Sequence, residues 1–156
     1  MKKALAVLAA LTLLISLTAC SARQQNYVDG NYHVEFSDFD SSGYKDFIDV
    51  VIEDGKIVKF TADAVDANGK LKSDSADYRQ KMESVVGNYP QKFYQDFANQ
   101  FLEKGSADDI DIVAGATMSS KRLMQLASAM EAAAATGQET NIIVESAATA
   151  AANKSK

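Results

Sequence analysis

Residues 111–121, Asp-Ile-Val-Ala-Gly-Ala-Thr-Met-Ser-Ser-Lys, gather the residue types in this chain best suited to hold a phosphate. An apolar run leads into a small-residue turn, Ala114-Gly115-Ala116. A helix start crowded with the hydroxyls of Thr117, Ser119 and Ser120 follows. The first N–H groups of a helix have no partner within it, and the helix dipole adds partial positive charge there, so an anion is stabilised. Gly115 and Ala116 permit close approach of a ligand or a second backbone segment. Lys121 and Arg122 oppose the dipole at a helix start, which is a further pointer to an anion. A hydroxyl of Ser119 or Ser120 that merely caps the helix explains the hydroxyls but not the small residues before them. A nucleotide phosphate loop is excluded, because Gly115-x4-Ser120-Lys121 lacks the second glycine and Arg122 stands where a Ser or Thr would hold magnesium.

Little else in the chain offers strong chemistry. One Cys and one His among 156 residues forbid an internal disulfide and a Cys/His zinc site, so no metal centre is expected. Any histidine-assisted nucleophile must use His33, which has no partner in view and reads as a strand-surface residue. With 16 basic against 21 acidic residues and a net charge of −5, no nucleic-acid partner is expected.

The single cysteine has a different use. Lys2 and Lys3 precede a run over residues 4–17 that is apolar except for Thr12 and Ser16, and the run ends in Leu17-Thr18-Ala19-Cys20. It is too short and wrongly flanked to span a membrane and reads as a secretory signal. Its end looks like a bacterial lipobox, with Cys20 the residue that is lipidated and becomes the new N-terminus. At ~0.8 kcal/mol per buried CH₂, two or more acyl chains hold a protein where one is marginal. Loss of residues 1–19 leaves no free thiol and takes the net charge to −7, since Lys2 and Lys3 go with them. The expected location is the cell membrane, lipid-anchored on its extracytoplasmic face.

Residues 20–27 read as a lipidated tether, 28–137 as one domain, and 138–156 as a short strand and an Ala-rich flexible tail. Residues 31–36 alternate as a strand, with Tyr32, Val34 and Phe36 on one face. The β-rich runs 45–53 and 56–65 flank Asp54-Gly55, a tight hairpin signal, and Asn68-Gly69 marks a second turn. A helix capped by Asp74 or Ser75 is expected to carry Tyr78, Met82, Val85 and Val86 inward and to end before Gly87. Pro90 opens a second helix, in which Phe93, Phe97 and Phe101 form a stripe until Gly105; periodicity favours a core face over a cofactor box. A short strand over 110–113, a third helix over 119–135 and an apolar segment over 142–144 complete an α+β domain, an antiparallel sheet with packed helices.

The 111–121 segment resembles the acceptor motif of bacterial FMN-binding domains, where an Asp is followed six residues on by a Thr inside a small-Gly-Ala-Thr turn. The resemblance implies that a flavin transferase joins the phosphate of FMN to Thr117 through a phosphoester. Asp111 is then the motif's Asp, Gly115 and Ala116 its turn, and Ser119 and Ser120 its hydroxyl pair. Ala114 departs from the pattern, where the family more often has Ser or Thr. Asp29-Gly30-Asn31-Tyr32, the 52–57 hairpin, and Lys70-Leu71-Lys72-Ser73 with Tyr78 and Met82 resemble the lipoprotein subgroup that includes Gram-positive pheromone precursors. In those relatives the stretch matching residues 12–19 is itself released as a signal. Further implied contacts are Met118 and Tyr78 against the flavin ring, and Lys72 and Ser73 at its polar edges or phosphate. For Tyr78 and Met82, core packing explains the spacing equally well. The implied function is electron carriage by covalent FMN from a quinone-linked membrane donor to an extracellular acceptor, by a carrier rather than an enzyme. The alternative is a non-redox surface lipoprotein, a binding module or a peptide-pheromone precursor.

Overall fold

The computed structural model describes residues 26–146; the signal segment, Cys20 and the Ala-rich tail beyond 146 lie outside the described residues. Strand β1 (Gly30–Phe36) pairs antiparallel with β2 (Lys45–Glu53), which pairs antiparallel with β3 (Lys56–Val65). Asp54 and Gly55 turn the β2–β3 hairpin with φ of 52° and 70°. A two-residue turn of this hand matches the right-handed twist of the strands it joins. Asp29 fastens the turn from outside, its carboxylate accepting the Gly55 N–H at 2.8 Å.

Two-residue alternation puts Tyr32, Val34 and Phe36 of β1, Ile48, Val50 and Ile52 of β2, and Phe60, Ala62 and Ala64 of β3 on one buried face. Helix α1 (Ala76–Val86) follows, then α2 (Pro90–Lys104), a single 3-10 turn (Ala107–Asp109) and α3 (Thr117–Ala134). On α2, Phe93, Phe97 and Phe101 recur every four residues and face the core. The Phe101 ring stacks on Phe60 of β3 at 4.5 Å. The core of α3 is Leu123, Leu126, Ala127 and Met130. The aromatic stripe is thus core, and a fully buried side chain of this size contributes roughly 1.5–3 kcal/mol.

Four expectations need correction. The sheet is mixed, because β4 (Asn141–Val144) lies beside β1 in parallel, giving the order β3-β2-β1-β4. Because β4 completes the sheet, the fold runs past residue 137; at its other end it takes in Tyr27, whose buried ring places its hydroxyl 3.2 Å from Glu131. Residues 110–113 form no strand: their N–H groups bond sideways, Asp111 to the Gln100 side chain and Val113 to Ser120 Oγ. On α1, Ser75 caps as expected by accepting the Tyr78 N–H, but the helix buries none of its residues; Val85 and Val86 are 80% and 45% exposed.

Candidate functional site

Helix α3 begins two residues earlier than its hydroxyls suggest, with Thr117 as its first residue. Its cap residue is Ala116, and no side chain among the described residues closes the helix start. The N–H groups of the first turn therefore remain donors without an internal partner. Thr117 is exposed, and its hydroxyl makes no hydrogen bond among the described residues. Gly115, at φ +76°, turns the chain into this position. Asn88, just beyond α1, holds the turn by donating from Nδ2 to the Ala114 carbonyl at 2.7 Å.

A cavity of about 600 Å³ opens between this helix start and α1. Thr117, Met118 and Ser119 line one side with Gly115 and Ala116, and Tyr78, Lys81, Met82, Val85 and Val86 line the other. The volume is in the range of small-molecule sites, and the walls are mostly apolar with a few polar groups, as such sites require. Val85 and Val86 point here rather than into the core, which accounts for their exposure.

A Cβ at Gly115 would lie 3.2 Å from the Cβ atoms of both Val86 and Asn88, in a left-handed backbone that L side chains resist. Gly115→Ala is therefore expected to destabilise the fold by ~1 kcal/mol or more. The strain would also push the α1 end outward. Urea unfolding checks the first effect, and amide exchange at residues 86–88 the second.

The other residues read from the sequence fall in several places. Ser120 is buried and accepts the Val113 N–H at 3.0 Å, so its hydroxyl is taken up by the loop and does not line the cavity. Asp111 is exposed, pairs with Lys104 at 2.7 Å and does not line the cavity. Lys72 is buried behind Tyr78, its ammonium 4.5 Å from that ring and 4.9 Å from Tyr44, with the nearest carboxylate, Asp40, at 3.9 Å. Ser73 donates from Oγ to Asp63 at 2.5 Å and lines a separate cavity of about 240 Å³ beside β3. His33 has partners after all, Asp49 at 2.8 Å and Glu35 at 3.8 Å.

Arg122 does not reach toward an anion at the helix start. It turns under the sheet, with Nε 2.5 Å from Asp46 Oδ2 and its guanidinium 3.9 Å above the Phe36 ring. The other Asp46 oxygen accepts from Tyr94 at 3.2 Å. Burial nevertheless holds the Asp46 carboxyl above its ordinary value, against the lowering effect of Arg122. The sequence carries a signal for Asp46 in its register. Asp46 occupies the same alternate positions of β2 as Ile48, Val50 and Ile52, so its side chain had to point inward.

A two-layer α+β domain with a ligand-sized cavity at an uncapped helix start thus defines the molecule structurally. No protein-family model matches the chain. Over 134 residues it is 37% identical to the 15 kDa lipoprotein of Treponema pallidum (strain Nichols), a match spanning 86% of this chain and 94% of the relative. The chain belongs to the family of that lipoprotein. It also resembles the crystal structure of the CPE2226 protein from Clostridium perfringens, with a TM-score of 0.74 and 30% identity. That likeness covers 77% of this chain and 98% of the other.

Proposed function

We propose that this lipoprotein-family chain is an anchored flavoprotein of the FMN-binding type, carrying FMN as a phosphoester on Thr117. The observation that carries this reading is an exposed Thr117 hydroxyl, unbonded among the described residues, at a helix start that none of them caps, opening on an apolar cavity of about 600 Å³. These residues suit the group. The hydroxyl is available as acceptor, the first-turn N–H groups and helix dipole favour its phosphate, and Tyr78, Met82, Val85, Val86 and Met118 offer apolar surface to a planar ring. When bound, FMN supplies one- and two-electron transfer, while the protein supplies position and electrostatics.

In this reading Thr117 keeps the flavin from diffusing away outside the cell. Tyr78 and the valines of α1 shield it from water on one side, with the Lys72 charge behind Tyr78. Cys20, lipidated, holds the protein on the extracytoplasmic face of the cell membrane, where it takes electrons from a membrane donor and passes them to an extracellular acceptor. The chain is a carrier and a substrate of flavin transferase, not an enzyme. Co-expression with a bacterial flavin transferase should yield acid-precipitated protein that retains flavin absorbance and a Thr117 peptide heavier by the FMN phosphoester. An unmodified Thr117 under those conditions sinks the carrier reading and leaves a non-redox surface lipoprotein.

A further inference from the structure

We infer that the anchor grips the domain at the pole opposite the cavity, so that the Thr117 rim faces the aqueous phase and exchanges electrons with a water-phase partner rather than a molecule dissolved in the bilayer. The inference rests on the lipidation of Cys20 and on Thr117 as the site, and it concerns where the first places the second. The chain enters the fold at a defined corner. Tyr27 N–H reaches the Gly55 carbonyl at 3.4 Å, and Val28 N–H the Ala134 carbonyl at 2.8 Å. The entry point is therefore the tip of the β2–β3 hairpin and the C-terminal end of α3. Thr117 opens that same helix at its other end. At ~1.5 Å per residue, Thr117 and Ala134 are separated by about 25 Å along the axis.

Six residue steps separate Cys20 from Asn26. Fully extended they span at most about 20 Å, so the entry corner stays near the lipid. The cavity can approach the bilayer only if the whole domain lies over on its side. Tethered at the entry corner, the upright domain holds the Thr117 rim about 25 Å farther from the bilayer than that corner. A donor confined to the hydrocarbon layer cannot reach the ring; one that projects into the water can.

The test uses the full lipidated protein in vesicles of mixed zwitterionic and anionic phospholipid. No thiol remains once Cys20 is acylated, so a single introduced cysteine takes a fluorophore cleanly. Lys121→Cys marks the first turn of α3 and Glu53→Cys marks the entry corner; both positions are exposed. Nitroxide-labelled lipid should quench the residue 53 label at least threefold more than the residue 121 label, while acrylamide in the water quenches both. Equal or stronger lipid quenching at residue 121 overturns the orientation while leaving the Thr117 reading intact. Failure of the protein to float with the vesicles overturns the Cys20 anchor and this inference with it, again without touching flavin attachment.

Discussion

Thr117→Ala is expected to abolish covalent flavin while leaving the fold as stable as before, within ~0.5 kcal/mol. The two halves of that expectation come from the same geometry. The Thr117 side chain is exposed and makes no hydrogen bond among the described residues, so its removal leaves no buried group unpaired. Alanine is also the better helix former, which offsets any loss at the first turn. A protein that unfolds at the same urea concentration yet carries no flavin separates chemistry from folding. Thr117→Ser keeps a hydroxyl at the same place and should retain attachment. Covalent flavin persisting in Thr117→Ala would move the acceptor to Ser119, the neighbouring hydroxyl on the cavity wall. Ser120 cannot take that role while its oxygen is buried against the Val113 N–H.

Much of this scaffold is legible from local pattern. The bounds of β2 and β3, the Asp54-Gly55 turn between them, the Ser75 cap and the stripe on α2 depend on residues within a turn or two of one another. Their physics is short-range and survives translation into sequence rules. The departures are all decided at a distance. Val85 and Val86 have the spacing of a core face, but α1 ends beside the Gly115 turn, so the same apolar residues become a cavity wall. Residues 110–113 have strand composition, yet Gln100 and Ser120 take their N–H groups first. The parallel pairing of β4 with β1 requires knowing where α3 delivers the chain. At the site, the small-residue turn was legible, whereas the start of α3 at Thr117 rather than 119 was not, nor was the inward turn of Arg122, because its partner lies across the fold on β2.

That partner makes Arg122→Met the substitution with the largest expected cost in stability, ~3–5 kcal/mol at pH 7. Asp46 is 1% exposed, and Arg122 is its sole cationic hydrogen-bond partner among the described residues. Removing the guanidinium leaves a carboxylate buried with one neutral donor, Tyr94, and that carboxylate will bind a proton in preference to staying charged. The sign of the pH dependence follows. Burial already raises the Asp46 pKa in the native protein, so the folded state holds this proton more tightly than the unfolded chain does. Stability from this group is greatest below the unfolded carboxyl pKa and is lost as pH rises through the folded one. Arg122→Met widens that interval by raising the folded value further, so the variant should regain stability between pH 7 and pH 5, where the parent changes less. The intact pair is itself imperfect: Arg122 Nη2 is buried with no hydrogen-bond partner among the described residues. Replacing the whole group, Asp46→Leu with Tyr94→Phe and Arg122→Met, should accordingly be neutral or stabilising. Urea unfolding at the two pH values decides the matter. If the single variant is equally weak at both, or the triple variant is as weak as the single, the cost of Arg122→Met lies in lost packing against Phe36 and not in an orphaned charge.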